Sequence, residues 1–332
     1  MSLVKNISEM MNLWKLRLSM VGTLALIIGL STLVFTLILS LAGVFDLLTL
    51  GVLVVFINIV QWLLAPYMVD AIYKVRALPE KENPRLHQVV SDLSQKSGIK
   101  KPRLMLSQIP LPNAFAYGSP LTGSRVAVTQ GLLKDLDDGE VEAVVGHEMG
   151  HLRHRDVQIM MVVSFLPALF TYIGYSLMIS SMYRGNRQSE GGSNALIGIA
   201  FVAFAWVLNM FTLYLSRLRE YYADRHSVGV VNNGAQKLST GLAKIVHSTK
   251  NMRKPRQQKQ SLSFKSLFIS DPEKANVDAA AIDAIQATSK SDLVQEILSK
   301  KLTTEAKITE AFSTHPNIIK RLRVLQALIR NA

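Results

Sequence analysis

The sequence predicts a mainly α membrane protein: transmembrane helices plus a polar part with a small β-sheet. Three observations predict it. Mean hydropathy is +0.23 over 332 residues, high for a water-soluble chain of this length. Charge vanishes over several stretches, each longer than the roughly 20 residues that cross a hydrocarbon core about 30 Å thick. Between those stretches lies Val145-Gly146-His147-Glu148-Met149-Gly150-His151, an H-E-x-x-H motif. There are no cysteines, so any metal must be held by His, Asp or Glu.

Residues 1–69 predict an N-terminal transmembrane hairpin. Lys5, Lys15 and Arg17 precede a run without charge up to Asp46, and a second such run reaches Asp70. The expected spans are about 18–45 and 47–69, with a tight turn near Gly43–Asp46. The first run is too long for a signal-peptide core and lacks a cleavage pattern followed by a soluble chain. Residues 70–156 are polar. Asn83-Pro84 opens an amphipathic helix through Leu86, Val90 and Leu93 that stops at Gly98. Runs at 103–106, 114–117 and 125–129, separated by Pro110, Pro112, Gly118, Pro120 and Gly123, predict a sheet of three strands. Asp137, Asp138 and Glu140 then supply the N-cap and first-turn acids of the motif helix.

Residues 157–216 predict a second transmembrane hairpin, with spans of about 157–183 and 194–216 joined by the polar loop from Arg184 to Ser193. The alternative is an apolar core hairpin of a soluble domain; two uncharged runs of this length argue against it. Residues 217–332 continue the last span into a second polar part. The basic stretch 250–261 has no apolar periodicity and reads equally as a solvated loop or as one touching anionic headgroups. Helices are expected near 278–300 and 304–312. Thr314-His315-Pro316 precedes a last helix with Ile318, Ile319, Leu322, Leu325 and Leu328 on its apolar side.

With four spans, the two polar parts and both termini share one side. That side holds all of the 37 lysines and arginines except Arg184 and Arg187, so the positive-inside rule makes it cytoplasmic. The formal charge of +13 therefore reads as orientation in a bilayer. No aromatic-interleaved basic motif points to nucleic acid.

The motif carries the chemistry. Residues four apart stand on one helix face, so His147 and His151 present two imidazoles to a single ion. Glu148 leans in from the adjacent face as a general base. A plain surface helix with two ordinary histidines is the bland reading. Three protein ligands are usual for catalytic zinc. The position ten residues after His147 is Val157, and His154 lies about 10 Å along the axis from His147 at 1.5 Å per residue, too far to share its ion. Glu220, on the helix emerging from the last span, is the better third ligand. Asp224, four residues on, is placed to orient a ligand histidine through its other ring nitrogen. The alternative is an ordinary surface glutamate with an acidic neighbour.

His147-Glu148-Met149-Gly150-His151, Glu220-x-x-x-Asp224, Asn113-Ala114-Phe115 and Thr314-His315-Pro316 together resemble HtpX-type integral-membrane zinc proteases. They are also similar to the CAAX prenyl-protein endopeptidases, and the order of spans and motifs agrees over nearly the whole chain. The resemblance implies a gluzincin-like, cytoplasmic zinc-protease domain holding one Zn²⁺ per chain. It implies protein substrates, chiefly damaged or misassembled membrane proteins, and a role in quality control under stress. It also places His315 over the cleft as an oxyanion donor, with Arg321 assisting; a helix-capping histidine is the plain alternative. Asn113, Ala114 and Phe115 are expected to form an edge strand that pairs with the substrate backbone; Asn113 reads equally as a turn residue after Pro112. Two other classes compete. A metal-binding transporter should carry ionisable groups inside its spans, and none is present. An inactive scaffold should have lost Glu148.

Overall fold

The computed structural model describes residues 47–184, 190–251, 290–300 and 302–330. The expected first span at 18–45, the turn near Gly43–Asp46 and nearly all of the basic stretch 250–261 lie outside those residues, as does 278–289. In chain order the elements are helix α1 (Leu47–Ile72), strand β1 (Val75–Ala77), α2 (Pro84–Ser97), β2 (Arg103–Ser107), β3 (Ala114–Ser119), β4 (Gly123–Thr129), α3 (Gln130–Asp135), α4 (Asp138–Arg153), α5 (Asp156–Arg184), α6 (Glu190–Val230), α7 (Gly234–Asn251), α8 (Lys290–Ser299), α9 (Thr304–Ala311) and α10 (Ile318–Arg330). The chain is a mainly α membrane protein with a small mixed sheet.

Among the described residues, three helices are long and apolar enough to cross a bilayer: Gly51–Ile72, Asp156–Met182 and Asn194–Val230. Among the described residues, Phe56, Val162, Leu166, Leu196 and Trp206 are exposed, as lipid-facing side chains are. The chain divides into two compact units. One takes the chain up to Ile59 together with Val162–Asn209; the other takes Val60–Met161 and the chain from Met210. Within the first, α5 and α6 touch backbone to backbone. A Cβ on Gly174 would stand 2.7 Å from the Gly198 carbonyl oxygen, and Phe170 stacks on Phe201 with centroids 5.5 Å apart.

The second unit contains the sheet, in the order β1-β2-β4-β3. The sheet has four strands, where the sequence predicts three: Val75–Ala77 pairs antiparallel with β2, Val75 opposite Ser107. Its three residues are too few for a two-residue alternation to declare itself. β2 and β4 are parallel, and β3 folds back antiparallel on β4, leaving β3 at an edge. Asp70, near the end of α1, accepts from Tyr117 Oη at 2.6 Å and pairs with Arg125 of β4, which ties that helix to the sheet.

The motif helix α4 begins in a capping box. Asp137 Oδ1 accepts the Glu140 N–H and Glu140 Oε2 accepts the Asp137 N–H, both at 2.9 Å, which satisfies two otherwise orphaned donors. From Glu140 to Gly150 nearly all of the helix is buried. Its Val141, Val144 and Met149 share one core with Val90 and Leu93 of α2, Val126 and Val128 of β4, Leu238 and Leu242 of α7, and Leu322 and Leu325 of α10. Each fully buried aliphatic side chain contributes about 1.5–3 kcal/mol, so the motif is fixed by the best-packed part of the unit.

Candidate active site

Two helices bring the site together, and two glycines let them meet. A Cβ on Gly146 would lie 3.0 Å from Val231 Cγ2, and one on Gly150 would lie 2.9 Å from Ala223 Cα. Ser227 Oγ donates to the Ala143 carbonyl at 2.6 Å across the same seam. α6 therefore passes against α4 at van der Waals distance, and Glu220 reaches the two rings.

The Nε2 atoms of His147 and His151 are 3.2 Å apart, with the rings edge to face. Glu220 Oε2 is 3.6 Å from His147 Nε2, and Oε1 is 3.5 Å from His151 Nε2. Ligands around a tetrahedral zinc with bonds of about 2.0–2.1 Å stand about 3.3 Å from one another. The three side chains thus form a triangle of the size such an ion requires, and each can supply one donor atom to it. Glu220 Oε2 is buried and has no hydrogen-bond donor aligned with it; the nearest cation, Arg321 Nη1, is 3.1 Å away. A metal ion fits this donor set.

Each ring is held from behind. Asp224 Oδ1 faces His147 Nδ1 at 2.9 Å, and His151 Nδ1 donates to Asp156 Oδ2 at 2.6 Å. The bond to Asp156 fixes the His151 proton on Nδ1, the carboxylate of Asp224 favours the same placement on His147, and the Nε2 atoms of both rings turn to the common point. Arg321, 2% exposed, donates to Asp224 through Nε at 2.9 Å and Nη2 at 2.6 Å. Arg219 Nη2 pairs with Asp156 and also donates to the His154 carbonyl at 3.1 Å. Burial works against a charge on His147, but Asp224 and then Glu220 outweigh it and raise its pKa to about 9. His151 goes the other way, lowered by burial and then by the charge on His147. Without metal, the His147 Nε2–H then fills the point where the donors converge.

A cavity of about 310 Å³ opens over this triangle, walled by Ala114, Phe115 and Ala116 of β3 on one side and by Thr314 and His315 on another. Glu148 Oε2 accepts the Ala116 N–H at 2.8 Å. That N–H points away from β4, so by the two-residue alternation of a strand Ala114 and Gly118 offer backbone groups along the same open edge. His315 Nδ1 lies 3.3 Å from Glu220 Oε1.

Of the residues singled out in the sequence, His147, Glu148, His151, Glu220, Asp224 and His315 are brought together. Two are placed differently from expectation. Arg321 does not line the cavity; it stands behind Glu220 and Asp224, occupied by their carboxylates. Asn113 does not line it either: its N–H donates to Thr129 Oγ1 and its carbonyl accepts the Thr129 N–H, so its backbone is committed to the sheet. Phe115 is buried between Tyr73 and Tyr117, with centroids 5.3 and 5.5 Å away, and anchors the strand. Asp156 and Arg219 were not foreseen. The available signal was an acid at the very mouth of an apolar run, five residues after the second motif histidine.

An H-E-x-x-H helix met by a carboxylate from a second helix, in a chain with apolar helices of membrane length, defines a membrane metallopeptidase. The model of Peptidase family M48 matches residues 80–329. A protein named Protease HtpX homolog from Thermoplasma acidophilum is 36% identical over 297 residues, 87% of this chain and 88% of its own length. Protease HtpX homolog 2 from Sulfurisphaera tokodaii is 35% identical over 328 residues, 95% and 97% of the two chains. The chain belongs to peptidase family M48. Its fold is similar to that of S. mikatae Ste24p in a crystal structure, with a TM-score of 0.54 at 16% identity; the match covers 95% of this chain and 66% of that one, just under two thirds.

Proposed function

We propose that this chain is an HtpX-type zinc endopeptidase that hydrolyses peptide bonds of damaged or misassembled membrane proteins from the cytoplasmic side. The observation that carries the reading is the triangle of donor atoms at 3.2–3.6 Å beside Glu148. The names of its relatives support proteolysis, and the crowding of Lys and Arg outside the apolar spans supports the orientation.

His147, His151 and Glu220 would hold the zinc, which when bound supplies Lewis acidity to water and to the scissile carbonyl. The rest falls to the chain's own side chains. Glu148 is held by the Ala116 N–H through Oε2, which leaves Oε1 to take a proton from the attacking water and return it to the leaving amine. His315, beside the same donors, acts as hydrogen-bond donor to the developing oxyanion. Asp224 and Asp156 keep each imidazole in the tautomer that presents Nε2. Arg321 positions Glu220 and Asp224 and does not touch substrate. An extended peptide pairs with the open edge of β3 through Ala114 and Ala116, a mode that gives affinity with little sequence preference.

The test is cleavage of casein or a detergent-solubilised membrane protein by the purified full chain and by Glu148→Gln. The variant should keep one zinc per chain and cut about 10²–10⁴-fold more slowly. Equal rates would remove Glu148 from the chemistry, and loss of zinc in the variant would reassign it as a ligand. Orientation is tested separately. The natural chain has no cysteine, so a single Thr304→Cys should react with an impermeant maleimide only after cells are opened.

A further inference from the structure

A second cavity, of about 430 Å³, opens at the C-terminal end of α4. Its walls include Lys96 from α2, Arg153 and His154 from the end of α4, and Tyr222, Arg225 and His226 from α6, and no carboxylate among the described residues lines it. Two of the cations there are held by carbonyls, and no acid among the described residues neutralises them. Lys96 Nζ donates to the Val230 carbonyl at 3.1 Å, and Arg153 Nη1 donates to the Gly98 carbonyl at 3.3 Å. Arg225 makes no hydrogen bond or ion pair among the described residues. Other cations of this unit have acids against them: Lys237 has Glu142, Lys244 has Glu140, Lys320 has Glu310. Three positive charges around one hollow repel one another until an anion enters. Burial holds His154 below its ordinary pKa, and the charges of Arg219 and then Arg153 add to it.

The polar groups suit a tetrahedral oxyanion. Ser97 Oγ lies 2.9 Å from His226 Nε2, so a hydroxyl and two imidazoles stand beside the cations. The cavity exceeds ten times the roughly 30 Å³ share of one water, enough for a phosphodiester with its glycerol. Its place along the chain names the source. His154 lies two residues before Asp156, where α5 becomes an apolar membrane-length helix. Arg219, level with Asp156 through their ion pair, precedes Arg225 by about 9 Å of helix, just past the roughly 5–7 Å of one headgroup layer. Tyr222, between them and 63% exposed, is the amphipathic type that settles at such a boundary.

We propose that this cavity binds the phosphate of an anionic phospholipid headgroup, with Arg225, Arg153 and Lys96 as its cationic ligands. The site is independent of the hydrolytic reading. It joins α2, α4 and α6, and two of these carry the donor triangle, so an occupied cavity clamps the helices that hold the metal.

The test uses the full chain in neutral detergent, titrated calorimetrically with dihexanoyl phosphatidylglycerol below its micelle concentration, with dihexanoyl phosphatidylcholine, and with inorganic phosphate. Phosphatidylglycerol should saturate at one per chain. Arg225→Gln should weaken it about tenfold, since a charge-assisted hydrogen bond is lost, and Arg225→Gln with Lys96→Gln should weaken it further. Arg323→Gln with Arg330→Gln, distant basic residues, should leave it unchanged. Equal binding by wild type and the Arg225 variants would overturn the site, as would equal weakening by the Arg323 and Arg330 changes. Phosphatidylcholine binding as tightly as phosphatidylglycerol would overturn the requirement for net negative charge. Inorganic phosphate binding as tightly as the lipid would keep an anion site and overturn its lipid source. Unfolding midpoints of each variant, measured without lipid, separate lost binding from lost fold.

Discussion

Two carboxylate–guanidinium pairs stand behind the two motif histidines, and they differ in depth. Behind His147, Asp224 and Arg321 are both 2% exposed, and Arg321 engages Asp224 through two nitrogens and Glu220 through a third. Behind His151, Asp156 and Arg219 are 9% and 13% exposed and meet through one nitrogen at the edge of the cleft. The inner pair is part of the core; the outer pair is a prop added where a membrane-length helix begins. Equal roles in aiming a ring thus carry unequal structural weight.

The largest effect should come from Arg321→Ala, which leaves two carboxylates buried without their cation. A loss of about 3–5 kcal/mol in unfolding free energy is expected, read by denaturant titration in detergent. A loss near that of Arg219→Ala would erase the distinction between the pairs. Next comes metal affinity, read by competition with a chromogenic chelator. Asp224→Asn should weaken zinc about 100-fold and Asp156→Asn about tenfold, the two ends of the range for such supports. The reverse order would place the critical prop at the edge.

The pH dependence sharpens the same contrast, because the inner ring holds the extra proton. His147 is raised from 6.5 to about 9 in the metal-free protein. Its charged contacts therefore stabilise the metal-free fold fully below about pH 6.5, and that contribution is lost as pH rises through about 9. Zinc must displace the proton, so its affinity should rise about tenfold per unit between pH 7 and 9 and then level. Calorimetry in buffers of different ionisation heat should count close to one proton released at pH 7, and the count should fall in Asp224→Asn but not in Asp156→Asn. The smallest effect is expected of Arg219→Gln, a few-fold in zinc affinity, because Asp156 keeps its contact with His151 Nδ1.

What could be read from the sequence divides along similar lines. The spacing of His147 and His151, the capping acids before them and the charge-free runs are local periodicities, and periodic signals survive without knowledge of tertiary contacts. Glu220 and Asp224 were legible because four residues on one helix is again such a signal. Asp156 was not. It is the last charge before an apolar run, and nothing within its neighbourhood in the chain says that its carboxylate turns back to His151. The family resemblance puts Arg321 at the cleft beside the His-Pro element, whereas the packing of Leu322 and Leu325 into the core turns its helix so that the guanidinium arrives behind the carboxylates. Helical rise alone excludes His154 from the ion, and its ring stands against Tyr222 and His226, with centroids 6.2 and 5.8 Å away.

Gly150 occupies one of the two unspecified positions of the motif, yet it acts as a spacer for the metal site. A methyl group there would meet the Ala223 backbone at 2.9 Å, and α6 would have to retreat by several tenths of an ångström, taking Glu220 with it. Zinc–ligand distances tolerate only about 0.2 Å. The width of one interhelical seam thus sets the bite of three ligands, and a residue that touches no metal governs which ions the site can accept.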